Sequence, residues 1–294
     1  MFASLWHTIR FIWQHPLNRK SRLQAVFRFL YWQRRAPAAS LPVAWPFVND
    51  TCFYAAKGWT GVTGNIYCGL HEFPEMSFVL HVLRPGDTLI DAGAHMGSYT
   101  ILASGVCQAA SIAVEPVPGS FERLLENVAL NGIDARVTAV AAGLGAEPGK
   151  LLFETRQGTM NHVSNDPANA MPVTVTTLDI LTQGLSGPVV LKLDVEGYEA
   201  AVLKGGRVLL ANPALKAIII ELNGSGKAYG SDDAVTHRLL LDAGFRPFDY
   251  EPLSRRLTAR ASYGPHNTIY IRDEAFTHKR IQEAPEFRVL DQQL

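Results

Sequence analysis

DTLIDAGAHMGSY, residues 87–99, joins a short apolar run ending in Asp91 to a turn bearing Gly93 and Gly97, and then to a helix start at Ser98. A strand–glycine turn–helix unit aims backbone N–H groups and a helix N-terminus at a bound anion. The next apolar run, SIAV, leads into a second acid, Glu115, 24 residues after Asp91. That distance suits the tip of the following strand, where an acid can accept both hydroxyls of a ribose. The two acids and the turn together specify a nucleotide-like cofactor site.

The turn does not fit a dinucleotide. The G-x-G-x-x-G fingerprint needs three glycines, and GAHMGS supplies two with three residues between them. Outward from the turn, strands and helices alternate: strands over 88–91, 111–115, 135–141, 189–193 and 217–221, and helices over 98–106, 117–131 and 232–243. Late strands are expected over 245–250 and 268–271. Such alternation around apolar strands predicts a doubly wound α/β domain with a mainly parallel sheet. Residues 142–171 break the rhythm and predict a small β excursion with a loop over 157–170. Upstream, residues 50–70 predict a hairpin, and Pro74 opens a helix that Pro85-Gly86 stops.

A second stretch, VVLKLDVEGYEAAVLKGG (189–206), ends an apolar strand in Asp194 and adds Glu196, Tyr198 and Glu199 in the turn that follows. A third, AIIIELNGSG (217–226), puts Glu221 and Asn223 at the tip of the next strand. Doubly wound folds bind ligands at these carboxyl ends. With DAGAHMGSYT (91–100), VEPVPGSFERLLENVALNG (114–132) and NHV (161–163), these stretches resemble the FkbM family of S-adenosylmethionine-dependent methyltransferases. The resemblance covers about residues 86–225. It implies a seven-stranded Rossmann-like sheet and methylation of hydroxyl oxygens on sugars, polyketides and related acceptors.

Carried over by position, the resemblance places Asp91, Gly93, Ala94, His95, Gly97 and Ser98 at the methionine end of the cofactor. It places Glu115 on the ribose, Pro116 and Val117 beside the adenine, and Ala141 and Ala142 flanking it. The run AAGLG lacks the polar side chain that many class I methyltransferases carry there. Asp194 falls next to methyl donor and acceptor. A hydroxyl must lose a proton on methylation, so a general base helps. Asp194 is the first candidate, His162 the second, and Glu196 belongs to the same signature. Glu221, Asn223 and Tyr198 are candidate acceptor contacts, and segment 224–266 helps shape that pocket. No dedicated metal-ligand spacing is visible.

The 294 residues carry 27 bases and 27 acids, which gives no reason to expect a nucleic-acid partner. Residues 1–49 hold seven Lys/Arg and no acid, so the remainder carries 20 bases against 27 acids. Two apolar stripes run at helical spacing there: Phe2, Leu5, Trp6, Ile9 and Trp13, then Leu23, Val26, Phe27, Leu30 and Tyr31. Such a basic helical extension over 1–49, with a proline-rich linker at 36–49, precedes the domain expected over 50–294. Its stripe either meets an anionic membrane surface or acceptor, or packs as a cap on the catalytic domain. No apolar run reaches the ~20 residues that span a bilayer. His7 and Arg10 interrupt the initial apolar stretch, which reads against a cleavable signal peptide. Three scattered cysteines suggest reduced thiols. The expected location is cytoplasmic, with peripheral contact at the inner membrane face through residues 1–35. Two other readings are a dinucleotide-dependent oxidoreductase and a non-catalytic, membrane-associated protein of the same fold.

Overall fold

The computed structural model describes residues 2–36, 41–154 and 170–294. Its central sheet has eight strands: β1 (Thr88–Ala92), β2 (Ala110–Val114), β3 (Val137–Val140), β4 (Val189–Leu193), β5 (Leu215–Glu221), β6 (Arg246–Glu251), β7 (Arg256–Ala259) and β8 (Asn267–Ile271). They lie in the order β7-β6-β8-β5-β4-β1-β2-β3. The five strands from β3 to β5 are parallel. The other ladders are antiparallel, and β8 inserts between β5 and β6. The expected seven strands are therefore eight, because β7 returns on β6 as an edge hairpin.

The sheet is buried on both faces, which is why its strands read as continuous apolar runs. Along β5, Ala217 and Ile219 join one core while Ile218 and Ile220 join the other. Along β4 the alternation is the same, with Val190 on one side and Leu191 and Leu193 on the other. A one-residue register slip would exchange the two cores. The β excursion forms a separate three-stranded sheet of Gly143–Leu144, Gly149–Glu154 and Ala170–Thr176.

Two local expectations fail. Residues 50–70 are not a hairpin: Cys52–Ala55 pairs with Val43–Pro46, and Thr60–Cys68 is a helix. The linker reading of 36–49 thus gives way, over its second half, to a strand. Gly61 and Gly64 are poor helix formers, but tertiary packing overrides that weak propensity. A Cβ on Gly64 would lie 2.7 Å from the His71 Cβ, so the glycine permits a close approach.

The second failure concerns the basic extension, which is two helices, α1 (Phe2–Gln14) and α2 (Arg22–Arg35). On α2 the buried side chains are Ala25, Phe29 and Trp32. Leu23, Phe27, Leu30 and Tyr31 of the expected stripe face solvent instead. The pair does cap the domain, but with a different face from the one the spacing suggested.

Arg272, just after β8, gathers the ends of two helices, Arg207–Ala211 and Asp233–Asp242. Its guanidinium donates to the carbonyls of Asn212 (2.6 Å), Ala243 (2.9 Å) and Leu210, and stacks on the Phe245 ring. These are carbonyls at or just past helix ends, which a fixed cation fork satisfies. Arg272→Leu strands them and is expected to cost about 2–3 kcal/mol, read as a lower thermal midpoint with unchanged cofactor affinity.

Candidate active site

The site follows from parallel pairing. Asp91 lies opposite Lys192 and Ala113, so β1, β2 and β4 end side by side. The residues just beyond those ends are Gly93, Glu115 and Asp194. A cavity of about 370 Å³ opens there, within the range of small-molecule sites. Its wall includes Asp91, Gly93, Ala94, His95, Ser98, Glu115, Pro116, Val117, Ala142, Lys192, Asp194, Glu196 and Tyr198.

The glycine turn holds the tips together. Gly93 has φ +83° and Gly97 φ +84°, the left-handed region that glycine enters freely. His95 between them also has positive φ, +51°. The amides of Gly93 and Ala94 both donate to Val114 O, and that of His95 donates to Glu115 Oε2 at 2.8 Å. These three N–H groups therefore tie the turn to β2 and do not point at an anion, contrary to the sequence expectation. Nor does a regular helix follow: α-helical Ser98–Thr100 passes into a π-helical stretch, Ile101–Val106.

Glu115 also accepts from the Val117 amide at 2.9 Å. Each carboxylate oxygen has two lone-pair directions, so both oxygens keep one for a ligand hydroxyl. Burial pushes its pKa up to about 7. Burial likewise raises Asp91 to about 6, against the opposing hydrogen bond from Thr100 Oγ1 at 2.6 Å.

At the other end the charges are denser. Lys192 is buried, with Nζ 3.0 Å from Asp194 Oδ2 and 5.3 Å from the Tyr99 ring centre. Burial alone would lower its pKa, but the charges of Asp194 and Glu72 outweigh it and keep the lysine protonated. Glu72 accepts from Tyr99 Oη and Asn267 Nδ2, both at 2.7 Å. Burial opposes its ionisation, yet Lys192 and His71 hold it below the usual carboxylate range. Glu196, half-buried with φ +53°, is pushed up to about 7 by burial and then by the charges of Asp194 and Glu221. Glu199 accepts from the Val195 and Gly197 amides at 3.1 Å each. It braces the turn that presents Asp194 and Glu196.

Not every expected residue reaches the cavity. Ala141 is exposed, and Ala142 and Gly143 form the wall in its place. Glu221 is half-buried and lies outside the cavity lining among the described residues, and Asp194 helps raise its pKa after burial. Asn223 is exposed, its Oδ1 accepts from the Ser225 amide, and it is not part of the cavity lining among the described residues. His162 and most of the 157–170 loop lie outside the described residues. Sequence reasoning missed Leu144 and Phe153 from the small sheet, and His71 and Glu72 ahead of the helix Phe73–Val82. The only signal for the last two was a polar pair inside the otherwise apolar stretch CGLHEFP. Asn65 Oδ1 holds His71 through its amide (3.1 Å) and Nδ1 (2.9 Å). Burial lowers the His71 pKa, against the opposing charge of Glu72.

The sequence profile of the methyltransferase FkbM domain matches residues 91–247. Hexuronic acid methyltransferase AglP of Haloferax volcanii is 29% identical over 148 residues, covering 49% of this chain and 59% of AglP. The chain thus spans less than two-thirds of that relative. Among solved structures, methyltransferase FkbM of Methylobacillus flagellatus KT is similar at 16% identity and TM-score 0.44, over 72% of this chain and 55% of that one. SMU.1697c of Streptococcus mutans, solved in complex with SAH, is similar at 13% identity and TM-score 0.40, over 67% and 95%.

Proposed function

The chain belongs to the FkbM methyltransferase family, and from that premise we propose that it transfers a methyl group from S-adenosylmethionine to a hydroxyl oxygen of a sugar-like acceptor. One observation carries the choice of cofactor. Among the described residues, the cavity wall bears the carboxyls of Glu72, Asp91, Glu115, Asp194 and Glu196, and its one lysine is already paired with Asp194. A pyrophosphate would meet like charge there, whereas a sulfonium and an ammonium meet opposite charge. The same observation disfavours the dinucleotide reading.

The residues present fit this cofactor. Glu115 keeps two lone-pair directions for ribose hydroxyls, and Val117, Ala142, Leu144 and Phe153 offer an apolar wall for the base. Asp91 and Ser98 border the part of the cavity nearest the glycine turn. When bound, S-adenosylmethionine supplies a methyl group activated by its sulfonium. The protein's work is then mainly positioning and proton removal.

Lys192 occupies Oδ2 of Asp194 and leaves Oδ1 to accept from the acceptor hydroxyl. Glu196, poised near neutrality, is the group suited to take the departing proton. His71, Glu72 and Tyr198 add polar contacts and a ring face for a sugar. The name of the relative AglP supports a sugar acceptor.

The test is calorimetric titration with S-adenosylhomocysteine and NAD, followed by methyl-transfer assays on hydroxylated sugars. Binding of the sulfur nucleotide alone is expected, and binding of NAD alone overturns the reading. Glu115→Ala should weaken the nucleotide at least about 100-fold, because two ribose hydrogen bonds to a charged group are lost. Asp194→Ala should leave that affinity nearly intact while turnover falls about 100-fold or more.

A pH profile separates the two raised carboxyls. Below about pH 7 Glu196 holds its proton and cannot accept another, so kcat should rise through that value. Glu196→Gln should flatten the rise. Glu115 also protonates as pH falls through about 7, so the KM for S-adenosylmethionine should increase on the acid side. A kcat that stays flat in the intact enzyme would remove Glu196 from the proton path.

A further inference from the structure

We propose that the outward faces of α1 and α2 form a docking surface for an anionic lipid bilayer, on which the molecule lies without spanning it. The inference is independent of the methyl-transfer chemistry.

Helix α2 is apolar on two opposite sides. Ala25, Phe29 and Trp32 face the core. Across the helix, Leu23 and Phe27 are each 68% exposed, Leu30 53% and Tyr31 50%. Those four residues follow the i, i+4, i+7, i+8 rhythm of one stripe. On α1, Trp6 is 65% exposed and Trp13 41%. The Arg22 guanidinium lies 5.3 Å from the Trp13 ring and joins the two helical surfaces. Of the fourteen large apolar side chains exposed among the described residues, eight fall between Leu5 and Tyr31. That concentration is beyond the scattered apolar exposure of an ordinary surface.

Charge selects the occupant. Residues 1–49 carry seven Lys/Arg and no acid, and Arg10, Arg19, Lys20, Arg22, Arg34 and Arg35 are exposed. A second copy seated on this face would bring like charges together. An anionic headgroup layer neutralises them while its acyl boundary takes Trp6, Phe27 and Leu30. Tryptophan, tyrosine and arginine on an amphipathic helix match that boundary, where one end of the side chain is apolar and the other wet. Among the described residues no helix is long and apolar enough to cross a membrane, so the contact is peripheral.

The test is flotation of the full chain with vesicles of phosphatidylcholine alone, and of phosphatidylcholine with one-third phosphatidylglycerol. The chain should float with the anionic vesicles, weakly or not with the neutral ones, and should detach at high salt. The double variants F27S/L30S and R19E/K20E should each reduce anionic binding at least about tenfold, with thermal midpoint and nucleotide affinity unchanged. Either of two results overturns the proposal: absence of the intact chain from anionic vesicles, or equal binding to both vesicle types. Undiminished binding by the charge-reversal variant also overturns it. So does sedimentation in which F27S/L30S abolishes a dimer while vesicle binding persists, since the face would then belong to a second copy.

Discussion

Gly93→Ala is expected to abolish nucleotide binding and to lower stability more than any other single glycine replacement in the site. Two penalties add. At φ +83° an L side chain costs about 1–2 kcal/mol. A Cβ would also lie 1.9 Å from the Asp194 carbonyl oxygen, which is backbone and cannot rotate away. The tips of β1 and β4 must therefore separate, and that movement breaks the bond from the Asp194 amide to Ala92 O. Asp194 and the cavity wall shift together. Gly132→Ala is the control. Gly132 also has positive φ, +61°, but its added Cβ would meet nothing within 4 Å. It should cost only the torsional term and leave nucleotide affinity intact. Calorimetry and thermal melting of the two variants measure the difference. Equal behaviour would mean that the close approach of β1 and β4 does not shape the site.

Lys192→Met should be nearly as damaging, for an electrostatic reason. Methionine keeps most of the volume but removes the cation that compensates Asp194 and Glu72. Breaking a fully buried pair typically costs about 3–5 kcal/mol. Asp194 remains 32% exposed, so water softens the penalty to about 2–3 kcal/mol. Turnover should fall further than stability, because Asp194 loses the contact that fixes its orientation. The double variant Lys192→Met/Asp194→Asn separates the two effects. Removing one of the two uncompensated charges should restore part of the melting temperature, while activity stays lost. If the double variant is no more stable than the single one, the ion pair is not what Lys192 contributes.

Much of the sheet was legible in the sequence. Its strands are short apolar runs, each followed by a chemically marked tip: Asp91 then Gly93, Glu115 after Val114, Asp194 after Leu193. Local patterning is reliable there because a strand buried on both faces tolerates few polar residues. Helix 60–68 was not legible, since Gly61 and Gly64 lower local propensity, and the close packing against His71 that explains Gly64 exists only in the folded chain. The edge strand β7 was missed for a related reason. Arg256–Ala259 is short and largely solvent-facing, and lacks an apolar signature.

The orientation of α2 was equally beyond the sequence. Two apolar stripes lie on that helix, and periodicity cannot say which meets the core. The partners that decide it, Tyr67 against Phe29 and Trp45 against Trp32, come from elsewhere in the chain. His71 and Glu72 likewise join the cavity only because the turn before helix 73–82 folds over the tips of β1 and β4. Glu199 looked like part of the acidic constellation, and its hydrogen bonds make it a brace for the turn.

The sequence by itself determined the alternating α/β architecture, the order of the acids at the strand tips, and a basic, acid-free stretch over residues 1–49. Those properties follow from local periodicity and composition, which each segment carries alone. Only the tertiary structure decided which carboxyls share a cavity, which are braced, which are raised toward neutrality, and which apolar stripe remains in solvent. Each of those depends on burial and on charges brought close from distant parts of the chain, and neither exists until the chain has folded.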